Sequence, residues 1–241
     1  ARLLQGDPAA PDNHEFSPVK FGAGYTTPRH HHNFDQIHYV LEGFHAWAPD
    51  RVIAAGHVAY FPEGSWYGPQ LGSDGVVLGL QFGGANGVGF MDYDSLRSGS
   101  ERLAETGEFV DGSYRSTGTD GAVREVDGYE AVWEHVRGRP VEYPPARYAE
   151  PIVMDTAAFG WVPSRDEPGV EHKHLLTVTE RRVAVGFSRL AAGAEHHLGP
   201  LAATRVQHLL AGEVVCNQQR FGAGTAFSFE VDDTVAMMAE T

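Results

Sequence analysis

The chain has 241 residues, with 18 basic against 32 acidic side chains and a net charge of −14 at pH 7, long enough for one large or two small domains. That charge excludes polyanionic partners such as nucleic acid or an anionic membrane surface, because neutralising phosphates takes clustered Lys and Arg. The longest apolar runs, such as GVVLGLQF at 75–82, are too short to span a bilayer. The lone Cys216 excludes an intrachain disulfide or thiolate cluster and fits a reducing cytoplasm.

The opening ARLLQGDPAAPDN has no basic segment followed by an apolar core, so it does not read as a secretory signal. A start at Ala1 rather than Met is compatible with missing N-terminal sequence. Residues 1–20 read as an extended arm. From 21 to 83, short β-type runs (FDQIHYVLE, RVIAAG, HVAYF, GVVLGLQF) alternate with the turn signals PEGS and LGSDG. GGANGVG then breaks the pattern, and 93–107 is a helix candidate. A second helix is expected at 126–137, where Val126, Tyr129, Val132, Trp133 and Val136 form an apolar stripe suited to packing on a barrel wall. Prolines 140, 144, 145, 151 and 163 mark an extended, restrained connection. From 170 to 241 the β-rich pattern returns (LLTVTE, RVAVGFSRL, RVQHLLA, EVVCN, TAFSFE, TVAMMAE).

The informative stretch is GYTTPRHHHNFDQIHYVLEG at 24–43. Strand side chains at i, i+2 and i+4 share a face, so His30 and His32 point the same way, and Gln36, His38 and Val40 can continue that face in the next strand. Two imidazoles so placed are half of a metal site, and they suit Zn, Fe, Ni and Cu alike.

An internal comparison extends the pattern. The first half carries G-x5-H-x-H-x3-Q-x6-G (Gly24, His30, His32, Gln36, Gly43), then G-x5-P-x-G-x2-Y (Gly56, Pro62, Gly64, Tyr67). This resembles the cupin superfamily, whose motifs place two His, a Glu and a final His around a metal. The resemblance puts His30 and His32 at the two His positions, Gln36 at the Glu position and Tyr67 at the final His position. In the same register, Gly193 leads to Gly199, Leu201 and Arg205 at the ligand positions and to Gly212 as the counterpart of Gly43. From Gly224, the second motif's Pro, Gly and His positions become Glu230, Asp232 and Val235. The frame persists while every ligand is lost.

The chain is therefore similar to a two-barrel bicupin of an uncharacterised bacterial group. The resemblance implies an all-β fold with minor α: two cupin-type barrels (double-stranded β-helix, or jelly-roll) joined by a partly helical segment. The expected divisions are an N-terminal barrel with its arm at 1–92, a connecting segment at 93–165, and a degenerate C-terminal barrel at 166–241.

The candidate metal ligands are His30, His32, Gln36 and Tyr67. Gln36 brings no negative charge to a cation and could instead hydrogen-bond a His or a substrate. Tyr67 would bind as phenolate only with a metal's help, since a free Tyr titrates near ~10. His38 and Tyr67 are the candidate catalytic groups, His38 because an imidazole near ~6.5 exchanges protons at neutral pH. Gln81, Trp66 and Tyr60 are candidates for lining the pocket. His31 should face away. His172 and His174 read as part of an interdomain strand, and His196 and His197 as facing solvent.

The expected function is a metal-dependent enzyme acting on a small molecule in the N-terminal barrel, with Fe, Mn, Ni or Zn. Dioxygenase-like chemistry is the commonest implication of the resemblance, and isomerase, lyase or cyclase chemistry fits the replaced Glu as well. The competing reading is a non-catalytic small-molecule-binding bicupin without metal. The expected location is cytoplasmic, and self-association into a homodimer is left open.

Overall fold

The structure is a computed structural model that describes residues 4–6, 13–22, 24–83 and 90–240. GGANGVG lies, apart from Gly83, outside the described residues. The chain divides into two compact units, Ala1–Asp155 and Thr156–Thr241. The connecting segment expected at 93–165 is thus shared: residues 93–155 belong with the first unit and 156–165 with the second. No helix among the described residues is long and apolar enough to cross a membrane.

Unit 1 runs through β1 (Leu4–Gln5), β2 (His14–Phe21), β3 (Thr26–Thr27), β4 (Phe34–Ala48), β5 (Arg51–Ala54), β6 (His57–Phe61), β7 (Gln70–Leu71) and β8 (Asp74–Gly83). It continues through α1 (Tyr93–Leu103), β9 (Gly107–Val110), β10 (Ser113–Thr117), β11 (Val123–Asp127), α2 (Gly128–Arg137) and β12 (Ile152–Asp155). The main sheet has the order β1-β2-β8-β4-β6-β12, with β5 on the far half of β4. β3 pairs with β7, and β9 to β11 form a separate sheet. Part of the expected arm is therefore strand β2, antiparallel to β8. The described sheets do not close into one hydrogen-bonded ring, and unit 1 holds a core of Phe21, Val40, Trp47, Ile53, Ala59, Phe61, Tyr67 and Val77.

β4 is one long strand because it bends at Gly43. Its register against β8 shifts between Val40 and Glu42. Gly43 then adopts φ +67°, and a Cβ there would lie 2.1 Å from the Asp74 carbonyl oxygen. Only glycine fits such backbone and contact. Its expected counterpart Gly212 also takes positive φ, +78°, so the repeat frame read from sequence is a frame of turns.

Both helices are set by their caps. The Asp92 carboxylate accepts from the Asp94 and Ser95 amides, which starts α1. Asp127 accepts from the Glu130 amide at 3.0 Å, and Gly138 in the left-handed region closes α2. Because β11 claims Val126, α2 starts later than the stripe predicts. Its buried Val132 and Trp133 pack with Met91, Leu96 and Leu103, so α2 lies on α1, while its Tyr129 meets Phe34 of β4.

The proline-rich segment after α2 straps unit 1. Arg147 binds Asp35 Oδ1 at 2.7 Å and Glu63 Oε1 at 3.4 Å, and also donates to Tyr60 OH. Asp35 and Glu63 are fully buried. Ser65 Oγ donates to the Tyr148 carbonyl at 2.7 Å.

Unit 2 contains a 3-10 turn (Thr156–Ala158), then β13 (Val162–Pro163), β14 (Val170–Val178), β15 (Val183–Leu190), β16 (Glu195–Leu198) and β17 (Arg205–His208). It ends with β18 (Glu213–Cys216), β19 (Gln219–Gly222), β20 (Ala226–Phe229) and β21 (Val235–Ala239). Its sheets have the orders β13-β14-β15, β16-β21-β18-β19 and β17-β20. Leu198, Leu201, Val214, Cys216, Phe229 and Met237 form its core.

Removing the guanidinium breaks its ion pairs to two buried carboxylates, a loss on the order of 3–5 kcal/mol. Arg147→Ala is therefore expected to lower the unfolding free energy of unit 1 by about 3 kcal/mol, measured by urea denaturation at pH 7.

Candidate functional site

Residues directly opposite one another in adjacent strands share a face. Register therefore places Glu15, Gln81, Gln36 and Phe61 in one row across β2, β8, β4 and β6. The next row holds Ser17, Gly79, His38 and Ala59. This face is unusually polar for an interior: Glu15, Ser17, Gln36 and His38 are all buried.

His30 sits opposite this face on a short segment between β3 and β4. A backbone bridge fixes it, with His30 N donating to Tyr67 O at 2.9 Å and Tyr67 N donating to His30 O at 3.0 Å. The rings follow, with centroids 4.4 Å apart for His30 and Tyr67 and 5.0 Å apart for His30 and His32. Gln36 joins them, since its Nε2 donates to Tyr67 OH at 2.9 Å while its Oε1 accepts from Gln81 Nε2 at 3.0 Å. The structure thus brings together His30, His32, Gln36, Tyr67 and Gln81.

The proton positions follow from the partners. His30 Nδ1 lies 2.8 Å from the Pro28 carbonyl, which can only accept, so Nδ1 carries the hydrogen and Nε2 the lone pair. His32 Nδ1 is buried with no hydrogen-bond partner. Burial lowers the pKa of His30 and lowers that of His32 strongly, so both are neutral at pH 7. Burial also raises Tyr67 well above the usual tyrosine range. In the chain Gln81→Gln36→Tyr67 every hydrogen bond runs toward the phenol, whose own O–H is left to donate.

The remaining candidates lie apart. His38 is one row away, against Phe61 and His45, with centroids at 4.7 and 5.3 Å, and its Nδ1 has no hydrogen-bond partner. Burial, with a smaller contribution from His45, lowers its pKa to about 3. Tyr60 sits on the opposite face of the sheet, where its OH donates to Asp35 at 2.7 Å. Trp66 is 42% exposed and stacks on His31 at 3.8 Å. His31 does face away from the pair, held between Trp66 and Tyr143.

Several residues of the site escaped sequence reasoning. Tyr129 of α2 sets its ring edge-on to His32 at 4.8 Å, and its OH donates to Asn33 at 3.1 Å. Its place in the helical stripe was readable, but its partner 97 positions earlier was not. Glu15 was hidden in the arm. His45 is fully engaged: Gln70 Nε2 donates to its Nε2 at 3.0 Å and its Nδ1 meets Ser73 Oγ at 3.2 Å, which marks it as a structural histidine. In unit 2, Leu201 at a lost ligand position is core and Arg205 is exposed.

No family model matches the chain, and no curated protein matches it. Solved structures do. A variant of Bacillus subtilis oxalate decarboxylase aligns over 99% of this chain and 72% of its own, at 13% identity and a TM-score of 0.51. A proposed dioxygenase from Nostoc punctiforme aligns over the same shares at 11% identity and a TM-score of 0.56. A structure of the decarboxylase studied for its Mn(II) centres aligns over 99% and 71%, at 12% identity and a TM-score of 0.51. These likenesses give the chain a cupin-type fold, shared with metalloenzymes.

The donor chemistry fits a divalent cation poorly. Two imidazoles are present, but the positions that would supply charge hold an amide and a neutral phenol already bonded to each other. Among the described residues, His30 and His32 have no third His, Cys, Asp or Glu within ligating reach.

Buried histidines with depressed pKa contribute stability that is complete above their unfolded value near ~6.5 and is lost as pH falls below it. His45, lowered by burial to about 4, and His38, lowered to about 3, continue this loss down to those values. Each should contribute a slope of about 1.4 kcal/mol per pH unit. Unfolding free energies measured from pH 7 to pH 4 are expected to show this decline, and His38→Gln should reduce the slope by about 1.4 kcal/mol per unit.

Proposed function

We propose that unit 1 is a small-molecule enzyme of the isomerase, lyase or cyclase kind, working by metal-free acid–base chemistry on an uncharged, hydrogen-bonding substrate. The observation that carries this reading is the neutral chain Gln81→Gln36→Tyr67, which ends on a phenol whose ring lies 4.4 Å, centroid to centroid, from that of His30, with the His30 lone pair on Nε2. A substrate against these two rings meets one proton donor and one proton acceptor, the pair that shifting a proton between neighbouring atoms requires. Tyr67 protonates, His30 accepts, and Gln36 orients the phenol. Tyr129 covers His32 and limits water. The two rows hold no cationic side chain to meet an anionic substrate.

A metal-dependent, dioxygenase-like reading has one observation in its favour, the buried and partnerless Nδ1 of His32. Metal analysis of tag-free protein separates the two. The acid–base reading expects no metal content that depends on His30 and His32. A stoichiometric metal lost in His30→Ala/His32→Ala would carry the metal-dependent reading instead.

Two further outcomes are expected. Thermal shift against a panel of neutral sugars, polyols and cyclic amides should give stabilisation that Tyr67→Phe weakens, while oxalate gives none. Gln36→Glu combined with Tyr67→His, which supplies a carboxylate and a third imidazole, should raise affinity for Mn2+ or Zn2+ at least tenfold, read by calorimetric titration with and without the pair in a His172→Ala/His196→Ala background.

A further inference from the structure

Unit 2 lost every ligand of the repeated motif, yet it gathers three metal-ligating side chains from elsewhere in the sequence. Glu167 lies in the loop before β14, His172 on β14 and His196 on β16, two strands that belong to different sheets. One ligand atom of each residue lies within 4.8 Å of the others. None occupies a position of the cupin frame: His196 stands three residues before Gly199, the first lost ligand position. The expectation that His196 faces solvent is corrected here, since it is 7% exposed, whereas His197 does face solvent.

The hydrogen bonds show how the cluster is prepared. The Glu167 carboxylate meets His196 Nδ1 at 3.0 and 3.1 Å and accepts from the His197 amide at 2.6 Å. A carboxylate only accepts, so His196 Nδ1 carries the hydrogen and Nε2 presents the lone pair. That Nε2 is buried with no hydrogen-bond partner. His172 Nδ1 meets Ser188 Oγ on the paired strand at 3.0 Å, a contact made at Nδ1 and not at Nε2. The two rings stand 5.3 Å apart, tilted by 54°. A carboxylate on the far nitrogen of an imidazole fixes its tautomer and raises its basicity, the usual support of a metal-bound histidine.

We propose that Glu167, His172 and His196 form a binding site for a divalent first-row transition cation, with the imidazole nitrogens as ligands and Glu167 supplying the negative charge. The inference rests on unit 2 alone and stands whatever unit 1 does. Ligand atoms about 2.0–2.1 Å from a zinc ion sit closer together than the 4.8 Å limit requires. The half-buried His172 side chain can close that gap by rotation, while Glu167 stays on His196 Nδ1 and the strands stay in place. Imidazole with carboxylate suits Mn2+, Fe2+ and Zn2+. Bound there, the cation would join the two sheets and satisfy the buried Nε2.

The test uses the full chain, freed of any tag, stripped with a chelator and equilibrated with micromolar Zn2+ or Mn2+. Bound metal is measured by mass spectrometry and stability by thermal melting. Wild type and His30→Ala/His32→Ala are expected to bind one equivalent with a rise in Tm, as is His174→Ala, whose exposed ring contacts Thr177 Oγ1 instead. His172→Ala/His196→Ala should lose the metal and the rise in Tm. Glu167→Gln should bind on the order of tenfold more weakly. If the double variant fails to fold, the half-buried His172→Ala alone carries the test. An empty wild type overturns the site, and so does full retention in the His172 variants. An equivalent that depends on His30 and His32 instead overturns it too, and moves the cation to unit 1.

Discussion

Everything in unit 1 hangs on the bend in β4. A single strand pairs with β6 and β8 over its first half and with β5 over its second. The change of direction is possible because Gly43 takes a left-handed backbone against the Asp74 carbonyl, where no side chain would fit. Before the bend, the strand delivers Gln36 and His38 to the interior and Asp35 to the strap. After it, the strand delivers His45 to Ser73 and Gln70. The positions of the site residues are thus consequences of one backbone geometry.

Charge is distributed between the units in an instructive way. The inner cluster of unit 1 joins two neutral imidazoles to a phenol and two amides, a set that shapes hydrogen bonds but holds cations weakly. In unit 2, the three residues that keep a carboxylate against an imidazole lie off the repeat frame. The two units differ in the chemistry they carry, while Gly43 and Gly212 both take positive φ.

The legible part of the sequence was the part written in local geometry. Gly43, Gly56 and Gly64 all take positive φ, so their spacing reports turns directly, and period two correctly brought His30 and His32 side by side. The pairing of Gln36 with Tyr67 was latent in the motif, because both ligand positions aim at one point. What stayed hidden depended on distant register or on competition between elements. β2 looked like an arm because its alternation was obscured by Pro18 and by polar residues that in fact face the interior. β9 to β11 formed chiefly in the stretch between the two expected helices, for which no element was expected. Tyr60 missed the site because it lies one residue out of phase with Phe61, and in a strand one residue means the other face.

The strap has a consequence for how the protein is made. Asp35 and Arg147 are 112 residues apart, and β6 gains its outer neighbour only from residues 152–155. A nascent chain that has emerged as far as residue 92 holds most of the strands of the main sheet, but two acids destined for the interior still lack their cation and one sheet edge is bare. Unit 1 therefore closes late in synthesis. Until then its unfinished edge is open to strand pairing with other chains, and the arrival of β12 is what covers it.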